Sequence, residues 1–101
     1  MIGCPVVYEW DTEKAASNLR KHRVSFAEAA SVFLDRSALT FPDPDHSDEE
    51  EREIVIGLSS RQRVLFVSLC ERGDRIRVIS ARKATAREKA QYEQGIHKER
   101  R

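Results

Sequence analysis

The sequence predicts an α+β fold. An N-terminal strand and two helices come first, then an antiparallel sheet of three to four strands, then a C-terminal helix. Two observations carry this. Ser25-Phe-Ala-Glu28 and Thr85-Ala-Arg-Glu88 are capping boxes, each opening a stretch with apolar residues at helical spacing. Between them, residues 53–82 hold three alternating, β-branched runs separated by turn signals, the pattern of an antiparallel meander.

Taken in order, Pro5–Trp10 is rich in Val and aromatics and reads as the first strand. Asp11 suits an N-cap, with Glu13 in the first turn where a carboxylate complements the helix dipole. Ala15, Leu19 and His22 recur at i, i+4 and i+7 and give this helix one thin apolar face, ended by His22 and Arg23. Phe26, Ala29, Ala30 and Phe33 form the core face of the second helix. Ala38–Phe41 is a short strand that Pro42 and Pro44, which lack an N–H, cut off. Residues 43–53 form an acidic loop with turn chemistry. Strands then cover Glu53–Ser59 and Arg63–Glu71, the latter with Leu65, Val67 and Leu69 on one face. Gly73-Asp74 turns the chain back into Arg75–Arg82. Strict alternation there puts Ile76, Val78 and Ser80 on one face and Arg77, Ile79 and Ala81 on the other. Tyr92 and Ile96, one turn apart, anchor the last helix, and the basic tail beyond Gly95 is expected to fray.

A chain of 101 residues suffices for one domain over 1–101 with a single modest core. Its charges are unevenly placed: residues 1–50 hold 5 Lys/Arg against 10 Asp/Glu, and residues 51–101 hold 13 against 7. The basic half either faces nucleic acid or an acidic partner, or simply neutralises the acidic half. Cys4 and Cys70 are too few for a disulfide framework or zinc site and read as reduced thiols, Cys70 packed in a strand. The N-terminus lacks the basic and apolar regions of a signal peptide, and no apolar run reaches membrane length. A cytoplasmic protein with no membrane contact is expected.

The residues exclude several chemistries. No phosphate-binding glycine loop or nucleophile elbow is present. His46 and Glu50 lack a third ligand, so neither a metal nor any other cofactor is expected. What remains is cationic: Lys21, His22 and Arg23 at the first helix end, and Arg63, Arg72, Arg75, Arg77 and Arg82 around the meander. Arginine keeps its charge and forks onto phosphate oxygens. Metal-free RNA cleavage needs a base for the ribose 2′-hydroxyl, cations for the phosphate transition state, and an acid for the leaving oxygen. Candidate catalytic residues are therefore His22, Lys21, Arg63 and Arg82, with Arg82 favoured for its place between a strand end and a helix start. Arg72, Arg77 and Ser80 are candidate RNA contacts, and His46 and Glu50 are either acid–base groups or organisers of their loop. For this chemistry the guanidinium groups must gather on one side of the sheet, close enough to share a phosphodiester.

Several separate motifs bear on family. Tyr8-Glu-Trp-Asp11, Lys14-Ala15, Asn18 and Lys21-His22-x-Val-Ser-Phe26 come first, followed by Glu28-Ala29, Val32-Phe33 and Asp35. Then come His46-Ser47 with Glu50 and Arg52, Ile56-Gly57-x-Ser59 and Arg63. The last are Ile76-Arg77-x-Ile79-Ser80-Ala81-Arg82, Ala84, Glu88 and Tyr92-Glu93. In this order they resemble the BrnT family of type II toxins over roughly residues 8–93. One departure is Arg23, where the family usually has a glycine suited to a left-handed helix end. The resemblance implies a RelE-like fold and a ribonuclease toxin held inactive by a BrnA-like ribbon-helix-helix antitoxin. It further implies that the pair contacts operator DNA only as a complex. From the residues alone, two other readings stay open: a module that binds nucleic acid without cutting it, and an interaction protein whose basic face only docks an antitoxin.

Overall fold

A computed structural model describes residues 7–43 and 52–99, with side chains through residue 95. Cys4, His46 and Glu50, the two proposed loop groups among them, lie outside the described residues, as does the side chain of Ile96. The elements are β1 (Val7–Glu9), α1 (Thr12–His22), α2 (Phe26–Ser31), a 3-10 turn (Val32–Leu34), β2 (Leu39–Pro42), β3 (Arg52–Leu58), β4 (Val64–Arg72), β5 (Arg75–Lys83) and α3 (Ala86–Glu99). They form the expected α+β order. The sheet, however, has five strands in the order β1-β5-β4-β3-β2. β1 joins it parallel to β5, and the other pairings are antiparallel. Pro42 is tolerated because β2 is an edge strand.

The local signals act as their chemistry dictates. Asp11 caps α1 by accepting from the backbone N–H groups of Glu13 and Lys14 at 2.8 and 3.2 Å, and these bonds hold its carboxyl below the usual range. Thr85 and Glu88 complete a reciprocal box at the start of α3. Ser25 and Glu28 make only half of one. The Ser25 hydroxyl accepts from the Glu28 N–H, while the Glu28 side chain is drawn elsewhere. α3 extends past Gly95 to Glu99.

The expected single core is divided in two by the sheet. Val24, Phe26, Ala29 and Val32 of the α1–α2 layer pack with Val55, Leu65, Val67, Leu69, Val78 and Ala81. On the other face Tyr92 of α3 packs with Ile54 and Ile56, flanked by Leu39, Leu58, Val64 and Phe66. Asp35 ties the layers together: it accepts from the Tyr92 hydroxyl and the Leu58 N–H. Burial pushes the Asp35 carboxyl up, but these bonds with that from Ser37 N–H outweigh it and leave it lowered. A side chain at Gly57 would not fit beside this junction, since its Cβ would stand 2.9 Å from the Cβ of Ala38.

Two expectations about faces are corrected. Leu19, placed on the apolar face of α1, is 47% exposed, and His22 is exposed too. Ala15 does pack against the core, but the most buried residue of the helix is Asn18, at 7% exposure. Its amide nitrogen donates to the carbonyls of Val24 at 2.9 Å and Ala81 at 2.8 Å, and its oxygen accepts from the Ala81 N–H at 3.1 Å. β1 stops pairing with β5 at Arg77, so the Asn18 amide takes over as hydrogen-bonding neighbour further along that edge.

In β5 the strict alternation fails at a bulge. Ser68 pairs with Ser80 but Leu69 pairs with Val78, so Ile79 is the extra residue. Val78 and Ala81 therefore both enter the helical core, although alternation put them on opposite faces. Arg77, Ser80 and Arg82 stand opposite Cys70, Ser68 and Phe66, which alternate by two and so share one face. The bulge thus moves Ser80 and Arg82 to the side of Arg77.

Replacing Asn18 tests the edge-filling role. Asn18→Ala strands both backbone groups of Ala81 and should destabilise by about 2–3 kcal/mol. Asn18→Asp keeps the acceptor for Ala81 N–H but loses both donors, and should remain clearly below wild type in denaturant melts. Wild-type stability in both would show that the amide is dispensable.

Candidate functional site

The end of the sheet at the β3–β4 turn collects charge from four separate elements. The turn is tight: Ser59 N–H donates to Arg63 O at 2.8 Å and Gln62 N–H to Ser59 O at 2.9 Å. Gln62 takes a positive φ of 65°, which carries Arg61 round the tip and sets Arg63 at the mouth of β4. Beside it α1 ends on Arg23, in the left-handed conformation at φ 60°, with its N–H donating to Leu19 O. That conformation strains a residue with a Cβ by about 1 kcal/mol. The departure from glycine is thus accommodated by strain and not by a different cap.

A buried carboxylate organises this end. Glu28, 5% exposed, accepts from Arg63 Nε at 2.9 Å, from Arg63 Nη2, and from the Ser59 hydroxyl at 2.6 Å. Arg63 Nη2 also donates to the Arg23 carbonyl at 3.0 Å, binding the end of α1 into the same knot. The bond from Arg63 holds the Glu28 carboxyl below the usual glutamate range despite burial, and Glu28 raises Arg63 in return. Arg63 is therefore fixed in direction, with its side chain 25% exposed and Nη1 without a hydrogen bond among the described residues.

Two clefts flank this arginine. One, of about 480 Å³, is lined by Leu19, Arg20, Arg23 and Arg61. The other, of about 500 Å³, is lined by Arg63 itself with Leu58, Gln62, Lys83, Lys89 and Tyr92 among its walls. Lys21 and His22 are exposed in the last turn of α1 immediately before Arg23. Of the predicted residues, Lys21, His22 and Arg63 are thus brought to one end of the molecule. Arg20, Arg61, Lys83 and Lys89 join them there, and sequence reasoning did not single them out. Exposed cations carry no signal until the chain brings them to one rim.

Of the remaining predicted residues Arg82, level with Phe66, also lies near this end, but Arg72 and Arg77 stand further along the sheet, so the expected convergence of all of them on one phosphodiester is corrected. β4 runs from Val64 to Arg72, so at about 3.3 Å per residue Arg72 lies about 26 Å along the strand from that end. Arg77, level with Cys70, is about 20 Å along by the same measure and forms an ion pair with Glu9 at 3.7 Å. Arg82 is held from several directions, although its side chain stays 35% exposed. It forks onto Glu88 at 2.8 and 2.9 Å, donates to Lys83 O at 3.2 Å, and lies 3.9 Å over the Phe66 ring. It fastens α3 to the sheet. Ser80 is exposed on the Arg82 face and fills no core position. Among the described residues no three His, Cys, Asp or Glu side chains gather as a metal site, and no helix is long and apolar enough to cross a membrane.

Sheet, flanking helices and cationic rim together define a small α+β protein with several cations at one end of its sheet, Arg63 among them held in a fixed direction. Comparison makes the class specific. The family model described as "Ribonuclease toxin, BrnT, of type II toxin-antitoxin system" matches residues 10–88, and the chain belongs to this family. Among solved structures it is similar to the Brucella abortus ribonuclease toxin BrnT, with 26% sequence identity and a TM-score of 0.64, over 80% of this chain and 99% of that one. No curated protein matches it.

The Glu28–Arg63 pair sets an acid limb of stability. With the folded-state carboxyl depressed, its contribution is complete above the ordinary glutamate range and is lost as pH falls through the lower folded value. Glu28→Gln should lose about 2–3 kcal/mol near neutrality. Its deficit against wild type should narrow on acidification, measured by thermal melts from neutral pH downwards. A deficit independent of pH would mean that the carboxylate charge contributes nothing.

Proposed function

We propose that the protein is a metal-independent endoribonuclease that inhibits translation by cutting RNA in the cytoplasm. A cognate ribbon-helix-helix antitoxin of BrnA type neutralises it, and operator DNA is met only through that complex. The observation that carries the nuclease reading is the setting of Arg63. Its guanidinium is aimed by a buried carboxylate, bonded to the end of the helix that carries Lys21 and His22, and flanked by two cation-lined clefts. Membership of a ribonuclease toxin family supports the same reaction.

In this reading the His22 imidazole takes the proton from the 2′-hydroxyl, as imidazole chemistry near neutrality allows. The 2′-oxygen forms its bond to phosphorus while the bond to the 5′-oxygen breaks, and the Lys21 ammonium gives that oxygen a proton. The products are a 2′,3′-cyclic phosphate and a 5′-hydroxyl. Arg63, held before substrate arrives, stabilises the doubly charged phosphorane at no cost in reorganisation. Arg82 acts by fixing α3 against β5, and Arg77, Ser80 and Arg72 lie along a strand face where a longer RNA would pass.

Purified protein should cleave RNA in EDTA. His22→Ala, at an exposed position, should fold normally and lose activity by about a hundredfold or more. Arg63→Lys should lose activity while keeping a charge for Glu28, whereas Arg82→Ala should lower the melting temperature more than the rate. Undiminished cleavage by His22→Ala would remove the imidazole from the mechanism, and cleavage abolished by EDTA would end the metal-independent reading.

A further inference from the structure

The cleft of Leu19, Arg20, Arg23 and Arg61 is not needed for the reaction at Arg63, and its composition calls for a separate account. Among the described residues none of its three guanidinium groups forms an ion pair, although Glu28 feels the charge of Arg61, whereas Arg63 and Arg82 each hold a carboxylate. The helix dipole accounts for basic residues such as Arg20 in the last turn of α1. It does not account for Arg61, which comes from the β3–β4 turn, or for a long cationic side chain at a left-handed cap where glycine would sit without strain. Leu19 adds an exposed apolar wall to the same cleft. Three unpaired cations and one apolar surface suit a single-stranded nucleotide, which offers an anionic phosphate beside an apolar base. The cleft adjoins the proposed reaction centre, since the Arg23 carbonyl is the one that Arg63 grips.

We propose that this cleft is an auxiliary RNA subsite. Arg20, Arg23 and Arg61 hold a backbone phosphate flanking the cleaved one, and Leu19 lies against the neighbouring base. Arg23 thereby exchanges backbone ease at the end of α1 for grip on the substrate. The proposal rests on the nuclease reading for the identity of its ligand, but it is tested without cleavage.

The probe is a fluorescein-labelled 2′-O-methyl oligouridylate, which offers phosphates and bases but no reactive 2′-hydroxyl. Its anisotropy is titrated at several salt concentrations with wild type, Arg23→Gly and Arg61→Ala. Each variant should bind about tenfold more weakly at low salt. Each should also have a shallower salt dependence by about 0.7 in log–log slope, the loss of one phosphate contact on a single strand. Arg23→Gly should at the same time melt no lower than wild type, because it relieves the cap. Wild-type affinity and slope in both variants would overturn the subsite even if the protein cleaves RNA. Weakened binding by the variants of a protein that cleaves nothing would keep the subsite and reject the nuclease. No binding by wild type would reject the subsite, and cleavage of RNA in EDTA decides the nuclease reading separately.

Discussion

The ion pair between Glu28 and Arg63 is the constraint on which the rest of the structure turns. It joins α2, both sides of the β3–β4 turn and the C-cap of α1 through a single buried carboxylate. Taking a carboxylate out of water is costly unless its lone pairs are met, and here two arginine nitrogens and a serine hydroxyl meet them. The result is a guanidinium whose direction is set by the fold. Such a group answers charge appearing on a phosphate without first having to find its geometry, and a freely rotating surface arginine does not.

The same residue type does different work three residues along the sheet, opposite Phe66. Arg82 has its charge matched by Glu88 and its flat face covered by Phe66, so it behaves as a clasp for α3. Arg77 is shared with Glu9 across the only parallel pairing among the described strands. Arg20, Arg23 and Arg61 form no ion pair among the described residues, although Arg61 also acts on Glu28 at longer range. Counting arginines therefore says little about where an anion binds. What matters is how much of each guanidinium the protein has already used.

Asn18 and the β5 bulge show how a small domain closes a sheet with few residues. A side-chain amide supplies, at Ala81, the two hydrogen bonds that a longer β1 would have made. The extra residue Ile79 lets Val78 and Ala81 share one core while Arg77, Ser80 and Arg82 share the opposite face. Membership of the BrnT family is consistent with this economy: the motif residues Asn18, Glu28, Asp35, Gly57, Ser59, Arg63 and Tyr92 all make the junctions described above.

Much of this was legible in the sequence because it depends on neighbours along the chain. Asp11, Ser25 and Thr85 announced their helices through bonds spanning two or three residues. Gly73-Asp74 set the hairpin, and alternation placed Leu65, Val67 and Leu69 in one core. The motifs gave the family. What the sequence did not carry was any relation made through space. Glu28 looked like half of a capping box until Arg63, 35 residues away, claimed its carboxylate. The faces of β5 do not follow from alternation because a bulge is a property of two paired strands and not of one. Arg20, Arg23 and Arg61 became a site only when the end of a helix met the tip of a turn. Local bonding is written in short stretches of chain, but the convergence of charges depends on how those stretches pack, and only the tertiary structure decides that.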